Sequence, residues 1–100
     1  MEQEIEEKPP AGDKASEGVR AVERALDILA AFSPGENDLL VADLLKRVGL
    51  SRPTLYRLLH TLEKKGYVAS HGEPQRFRLG PAVARLAHTW SATLDLSALA

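Results

Sequence analysis

Four residues, Val48-Gly49-Leu50-Ser51, separate two strongly patterned helices, and this constrains the fold of the chain more than any other feature. Before them, VADLLKRV sets Val41, Leu44, Leu45 and Val48 on one face of a short helix from about Val41 to Val48. After them, SRPTLYRLLHTLEKKG does the same with Leu55, Leu58, Leu59 and Leu62. Gly49 is suited to a left-handed C-terminal cap, since glycine adopts positive φ without penalty. Ser51 is suited to an N-cap, its hydroxyl able to accept from an amide of the first turn. Pro53 falls within that turn, where a missing N–H costs little, and Gly66 ends the helix. Helices joined this tightly cross steeply instead of running antiparallel, which is the helix-turn-helix arrangement.

The flanking segments complete a small domain. GVRAVERALDILAAFSP predicts an amphipathic helix with Val19, Val22, Leu26, Leu29 and Phe32 as its apolar stripe. Arg20, Glu23, Arg24 and Asp27 lie off that stripe, and Pro34 and Gly35 stop the helix. Leu39 and Leu40 suit a brief extended segment. YVASHGEPQRFRLG switches to period two and predicts a β-hairpin with Val68, Phe77 and Leu79 inward and Arg76 and Arg78 outward. Its turn is built from Gly72 and Pro74. After Gly80, PAVARLAHTWSATLDLSALA predicts a last helix with a stripe of Val83, Leu86, Ala87, Trp90 and Leu94. The expected fold is mainly α with a small β-hairpin: a winged helix-turn-helix, three helices plus a wing, followed by a linker helix. Residues 1–17 are expected to be a disordered acidic tail, 18–80 the winged domain and 81–100 the linker helix.

Charge bears on what such a domain could touch. The formal net charge is −1, but the signs are segregated. Residues 1–17 hold six acids and two lysines, while residues 18–90 hold eleven Lys and Arg against seven Asp and Glu. A basic body with an acidic tail is a recognised sign of nucleic-acid contact. The absence of cysteine removes disulfides, thiol chemistry and the usual zinc ligands. His60, His71 and His88 have no metal-ligand spacing, so no metal or cofactor is expected. No nucleophile–base pair, carboxylate pair or phosphate loop stands out, and an enzyme is not expected. No apolar run reaches the roughly 20 residues that a spanning helix needs, and the expected location is the cytoplasm.

In a winged helix-turn-helix the second helix of the motif enters the major groove. The leucines of the helix at about 51–65 occupy one side; Pro53, Arg57, His60 and Lys64 occupy the other, flanked by Thr54, Tyr56 and Thr61. A solvated face would carry the same charges, and so would a face turned to DNA. Helix order and the hairpin behind it favour DNA. The expected DNA-facing residues are Ser51, Arg52, Pro53, Thr54, Tyr56, Arg57 and His60 on this helix, with Arg76 and Arg78 on a wing at about 67–79. Thr54 can bond a phosphate or offer its methyl to thymine, and Arg57 can clamp a phosphate or fork onto guanine, the phosphate being preferred. The helix start at Ser51–Arg52 offers free amides and the positive dipole end to a phosphate. His60 is more simply a solvated histidine, Tyr56 suits packing or backbone contact equally, and Lys64 and Lys65 give diffuse attraction. A winged helix can also serve as a protein–protein or RNA-binding module. Such a surface would show apolar residues where this one shows Arg57, His60 and Lys64.

VERALDILAAF, GLSRPTLYRLLHTLEKKGYV and FRLGPAVARLA together resemble the N-terminal domain of the IclR family of bacterial transcriptional regulators. The resemblance rests on Gly49, Leu50, Ser51, Thr54, Tyr56, Arg57, Leu58, Leu59, Leu62, Gly66, Tyr67, Val68, Phe77, Leu79 and Gly80 and covers residues 19 to 90. Leu40 stands where the family often places a Thr or Ser cap, Leu45 where a small alanine is common, and Phe77 where a tyrosine is usual. The resemblance implies sequence-specific binding of double-stranded DNA at a roughly palindromic operator. It also implies a homodimer or higher oligomer in which the last helix pairs subunits, with Leu86, Trp90 and Leu94 as the seam. Family members are longer and carry a C-terminal domain that senses a small metabolite, so the chain is expected to be a piece that lacks that effector domain.

Overall fold

The fold was obtained as a computed structural model and is described for the backbone of residues 12–99 and the side chains of residues 18–94. The chain runs α1 (Gly12–Ala30), β1 (Leu39–Leu40), α2 (Val41–Val48), α3 (Arg52–Lys64), β2 (Val68–His71), β3 (Arg76–Leu79) and α4 (Pro81–Leu99). The tail expected over residues 1–17 lies outside the described residues up to Ala11, and α1 begins at Gly12, six residues before the expected start.

The tight turn forms as its chemistry demands. Gly49 takes φ 65° and its N–H donates to the Leu45 carbonyl at 3.1 Å, closing α2. Ser51 is extended and caps α3, its Oγ accepting from the Thr54 N–H at 3.4 Å. The start of α2 has no such cap, because Leu40 carries no side-chain acceptor. Asp43 offers the reverse contact, its Oδ2 accepting from the Leu40 N–H at 3.1 Å. Arg47 fastens the other side of the motif. Its guanidinium donates to the Ala31 carbonyl at 2.8 Å and pairs with Glu36 at 2.9 Å, so one side chain ties the end of α1 to α2 and to the loop between them.

The core sits where α1, α2, α3 and the sheet converge. Ile28, Leu44 and Leu55 are fully buried and Leu59 nearly so; Phe32, Leu39, Val41, Val68 and Phe77 close around them. Leu45, Val48, Leu58 and Leu62 pack against this cluster partly buried, in line with the faces expected for α2 and α3. Each fully buried leucine contributes roughly 1.5–3 kcal/mol relative to exposure.

Three expectations are corrected here. The first concerns α1. Val19, Val22 and Leu26 remain 61%, 60% and 59% exposed, while the buried residues are Ile28 and Phe32 with Leu29 and Ala31 beside them. The helix is turned by about one residue, roughly 100°, from the expected orientation. Ala21 and Ala25, too small to register as an apolar stripe, lie on the same face as Ile28 and Phe32, and small residues there let the neighbouring helix approach. The second concerns the wing. It is a three-stranded sheet ordered β1-β3-β2, with Leu39 opposite Phe77 and Val68 opposite Leu79. Because β1 spans two residues and covers only Arg76 and Phe77, Leu79 is left on the rim and is exposed instead of inward. The third concerns α4, of which only the first turn packs. Ala82 is buried and Val83 half-buried, whereas Leu86, Ala87, Trp90 and Leu94 are exposed.

The junction between α3, the wing and α4 is a close backbone crossing. Gly66 has φ 86°, and its carbonyl accepts from the Ala82 N–H at 2.9 Å. The Tyr67 N–H donates to the Leu62 carbonyl at 2.8 Å, and the Gly80 N–H to the Tyr67 carbonyl at 2.8 Å. A Cβ on Gly80 would lie 2.3 Å from the Gly66 oxygen, so only glycine fits.

Candidate nucleic-acid interface

The outer face of α3 is built by its cap and its leucines. Burial of Leu55 and Leu59 fixes the rotation of the helix, and the cap fixes its start. What remains outside is Ser51, Arg52, Pro53, Tyr56, Arg57 and His60, all exposed, with Thr54 half-buried at the edge. All seven of these predicted residues therefore share one continuous surface. Ser51 Oγ–H also donates to Thr54 Oγ1 at 3.0 Å. That contact uses an acceptor site of Thr54 and leaves its own hydroxyl proton free to donate outward. Arg57 has no ion-pair partner among the described residues.

The helix start offers less than expected. Pro53 has no N–H, the Thr54 N–H goes to Ser51 Oγ and the Leu55 N–H to the Ser51 carbonyl at 2.9 Å. One first-turn amide, that of Arg52, is left to meet an anion together with the helix dipole.

The wing arginines sit on the middle strand of the sheet, on the side opposite Phe77. Arg76 is half-buried and Arg78 exposed. Neither stands alone, because Asp38 and His71 are beside them; sequence reasoning placed His71 in the hairpin but connected neither it nor Asp38 to the wing arginines. His71 Nε2 lies 2.6 Å from Asp38 Oδ1 and 2.8 Å from an Arg78 guanidinium nitrogen. One ring nitrogen either donates or accepts, so these two hydrogen bonds exclude each other: Nε2–H donates to Asp38, or a bare Nε2 accepts from Arg78. The hydrogen bond from His71 holds the Asp38 carboxyl below its ordinary range. Partial burial opposes this, and the charges of His71, Arg78 and Arg76 add to it. The signal that could have found the cluster was the extended pair Leu39–Leu40. Once those residues join the sheet, Asp38 is carried to its edge.

Among the described residues no group of three or more His, Cys, Asp or Glu could hold a metal. No helix among them is long and apolar enough to cross a membrane.

A steep helix pair, an exposed polar second helix and a sheet behind it define a winged helix-turn-helix domain. Residues 21–72 match the family model of the IclR helix-turn-helix domain, and the chain belongs to that family. It is 38% identical over 77 residues to the HTH-type transcriptional regulator Rv1719 of Mycobacterium tuberculosis, a match covering 77% of this chain and 30% of the relative. It is 36% identical over 78 residues to the HTH-type transcriptional regulator XynR of Escherichia coli, covering 78% of this chain and 31% of that protein. The crystal structure of an IclR family transcriptional regulator from Brucella abortus superimposes with a TM-score of 0.65 at 33% identity, covering 70% of this chain and 27% of that one. The chain thus spans about a third of the length of the relatives it matches. Those relatives are named as transcriptional regulators, not as enzymes.

Proposed function

We propose that the chain is the sequence-specific double-stranded DNA-binding region of a bacterial transcriptional regulator acting in the cytoplasm. In this reading α3 enters the major groove, with Ser51, Arg52, Pro53, Thr54, Tyr56 and Arg57 facing DNA and His60 at the margin, and the wing brings Arg76 and Arg78 to the backbone or the minor groove. The observation that carries it is the outer face of α3, which is exposed, polar and cationic at the same turns where its inner face is leucine. A protein-binding winged helix would present apolar residues there. Homodimerisation through Leu86, Trp90 and Leu94 would set two such helices on a palindromic site. Control by a small metabolite would come from a domain outside residues 1–100.

The reading is tested by a salt titration of duplex binding and by one substitution. The log–log slope of affinity against salt should be steep, near −0.9 for each phosphate neutralised. Arg57→Ala should weaken binding by about 1–3 kcal/mol if the guanidinium meets a base edge, with relaxed preference at one position. If it meets a phosphate, the loss should be uniform across sequences and the slope should fall by about one. Binding indifferent to both salt and Arg57 would sink the assignment.

A further inference from the structure

Between α1 and α3 runs an open groove of about 470 Å³. Arg20 and Arg24 project from the α1 wall, Thr54, Arg57 and Thr61 form the α3 wall, and Ala21 leaves room between them. No carboxylate lines it. None of the three arginines has an ion-pair partner among the described residues, although the chain pairs Arg47 with Glu36 and sets Asp38 against Arg78 elsewhere. Arg20 and Arg24 are one turn apart on one helix face, where like charges repel at close range. Three guanidiniums without an ion-pair partner among the described residues, around one open groove, make a site for an anion with several acceptor oxygens, which guanidinium forks bind bidentately.

We propose that this groove binds the phosphodiester backbone of the DNA strand beside the major groove that α3 occupies, with Arg20 and Arg24 as anchors supplied by α1. The proposal rests on the DNA-binding reading of α3, since Thr54 and Arg57 belong to both surfaces. Its consequence differs from that of the α3 face. Contacts to phosphate position the protein without reading sequence, so Arg20 and Arg24 contribute to affinity and register but not to base preference. The apolar stripe of α1 points elsewhere, so these arginines can meet DNA while that stripe stays clear of it.

The test uses the 100-residue chain, its Arg20→Gln/Arg24→Gln and Arg20→Lys/Arg24→Lys variants, and two short duplexes, one of random sequence and one selected for tight binding. Arg24 is half-buried, so thermal unfolding is followed in parallel, and Arg20→Gln alone, at an exposed site, serves if the double variant unfolds. The glutamine pair should lose affinity by the same factor on both duplexes, leaving their ratio unchanged, and its salt slope should be shallower by roughly 0.9 for each phosphate it no longer neutralises. The lysine pair should keep most of the slope. An unchanged slope in a glutamine variant, against a steep wild-type slope, overturns the groove site and leaves the α3 reading standing. A wild-type chain that binds neither duplex overturns both.

Discussion

Asp38 and Gly80 are the two residues whose surroundings predict most. Asp38 is held ionised first by its hydrogen bond from His71 and then by the charges of His71, Arg78 and Arg76. Its folded pKa lies below its ordinary value of 3.8, so ionisation favours the folded state. That stability is complete above the unfolded pKa of about 3.9 and is lost as pH falls through the lower folded value. Asp38→Asn should therefore flatten part of the acid-side fall of the melting temperature below about pH 4. At neutral pH the same change removes the negative charge beside Arg76 and Arg78 and makes the wing more positive. Duplex binding at low salt should tighten, a direction opposite to that of Arg78→Ala. Gly80 makes a steric prediction. A methyl group would meet the Gly66 carbonyl, and since that partner is backbone, α4 or the end of α3 has to move. Gly80→Ala should cost about 1–3 kcal/mol in denaturant unfolding. Gly35→Ala is the control, with open space around its added carbon and no positive φ, and should stay within about 0.5 kcal/mol.

At the scale of elements, the helices with local punctuation were the legible ones. Gly49, Ser51, Pro53 and Gly66 fix the limits of α2 and α3 through interactions within one turn, and those limits agree with the structure. Their leucines face one way because no alternative face is apolar. The orientation of α1 was not legible, because its sequence offers two faces. Val19, Val22 and Leu26 make the stronger stripe, but contact with α3 selects the face of Ala21, Ala25, Ile28 and Phe32. That choice depends on how closely two helices can approach, which is a property of the pair. The wing's third strand was missed for a similar reason, since two residues show no period. Of the candidate site, the α3 face was legible because it is the complement of the leucines, whereas the Asp38–His71–Arg78 cluster joins positions separated by 33 residues and needs the sheet to exist. The element-level prediction concerns the crossing. Leu55 is fully buried where α3 meets the core. Leu55→Ala should cost about 2–5 kcal/mol, a large part of the roughly 5–15 kcal/mol that a small domain has. Weakened DNA binding in this variant should track the unfolded fraction, and binding per folded molecule should be unchanged, which separates a packing residue from Arg57.

For the whole molecule, the exposed side chains beyond the first turn of α4 are the surface through which the proposed homodimer would form. Leu86, Trp90 and Leu94 recur at helical spacing, are uncovered within the chain, and lie on an element that leaves the domain after Ala82 and Val83. Trp90 is the only tryptophan and is 66% exposed. Burying an indole removes on the order of 150–250 Å² from water, so pairing two copies through this seam would desolvate both rings. Tryptophan emission therefore reports the event directly. Dilute protein should emit as a solvated indole, and raising the concentration should shift the maximum to the blue with a rise in anisotropy. Duplexes carrying two inverted half-sites should produce the same shift at lower protein concentration than duplexes carrying one, because the DNA holds the two copies together. Leu86→Glu should keep the emission red under all these conditions and reduce binding to the paired site to that of a single half-site, with the thermal midpoint of the domain unchanged. If emission stays red in the wild-type chain while paired half-sites are still bound cooperatively, the seam lies elsewhere, and the exposed stripe of Val19, Val22 and Leu26 on α1 is the next surface to substitute.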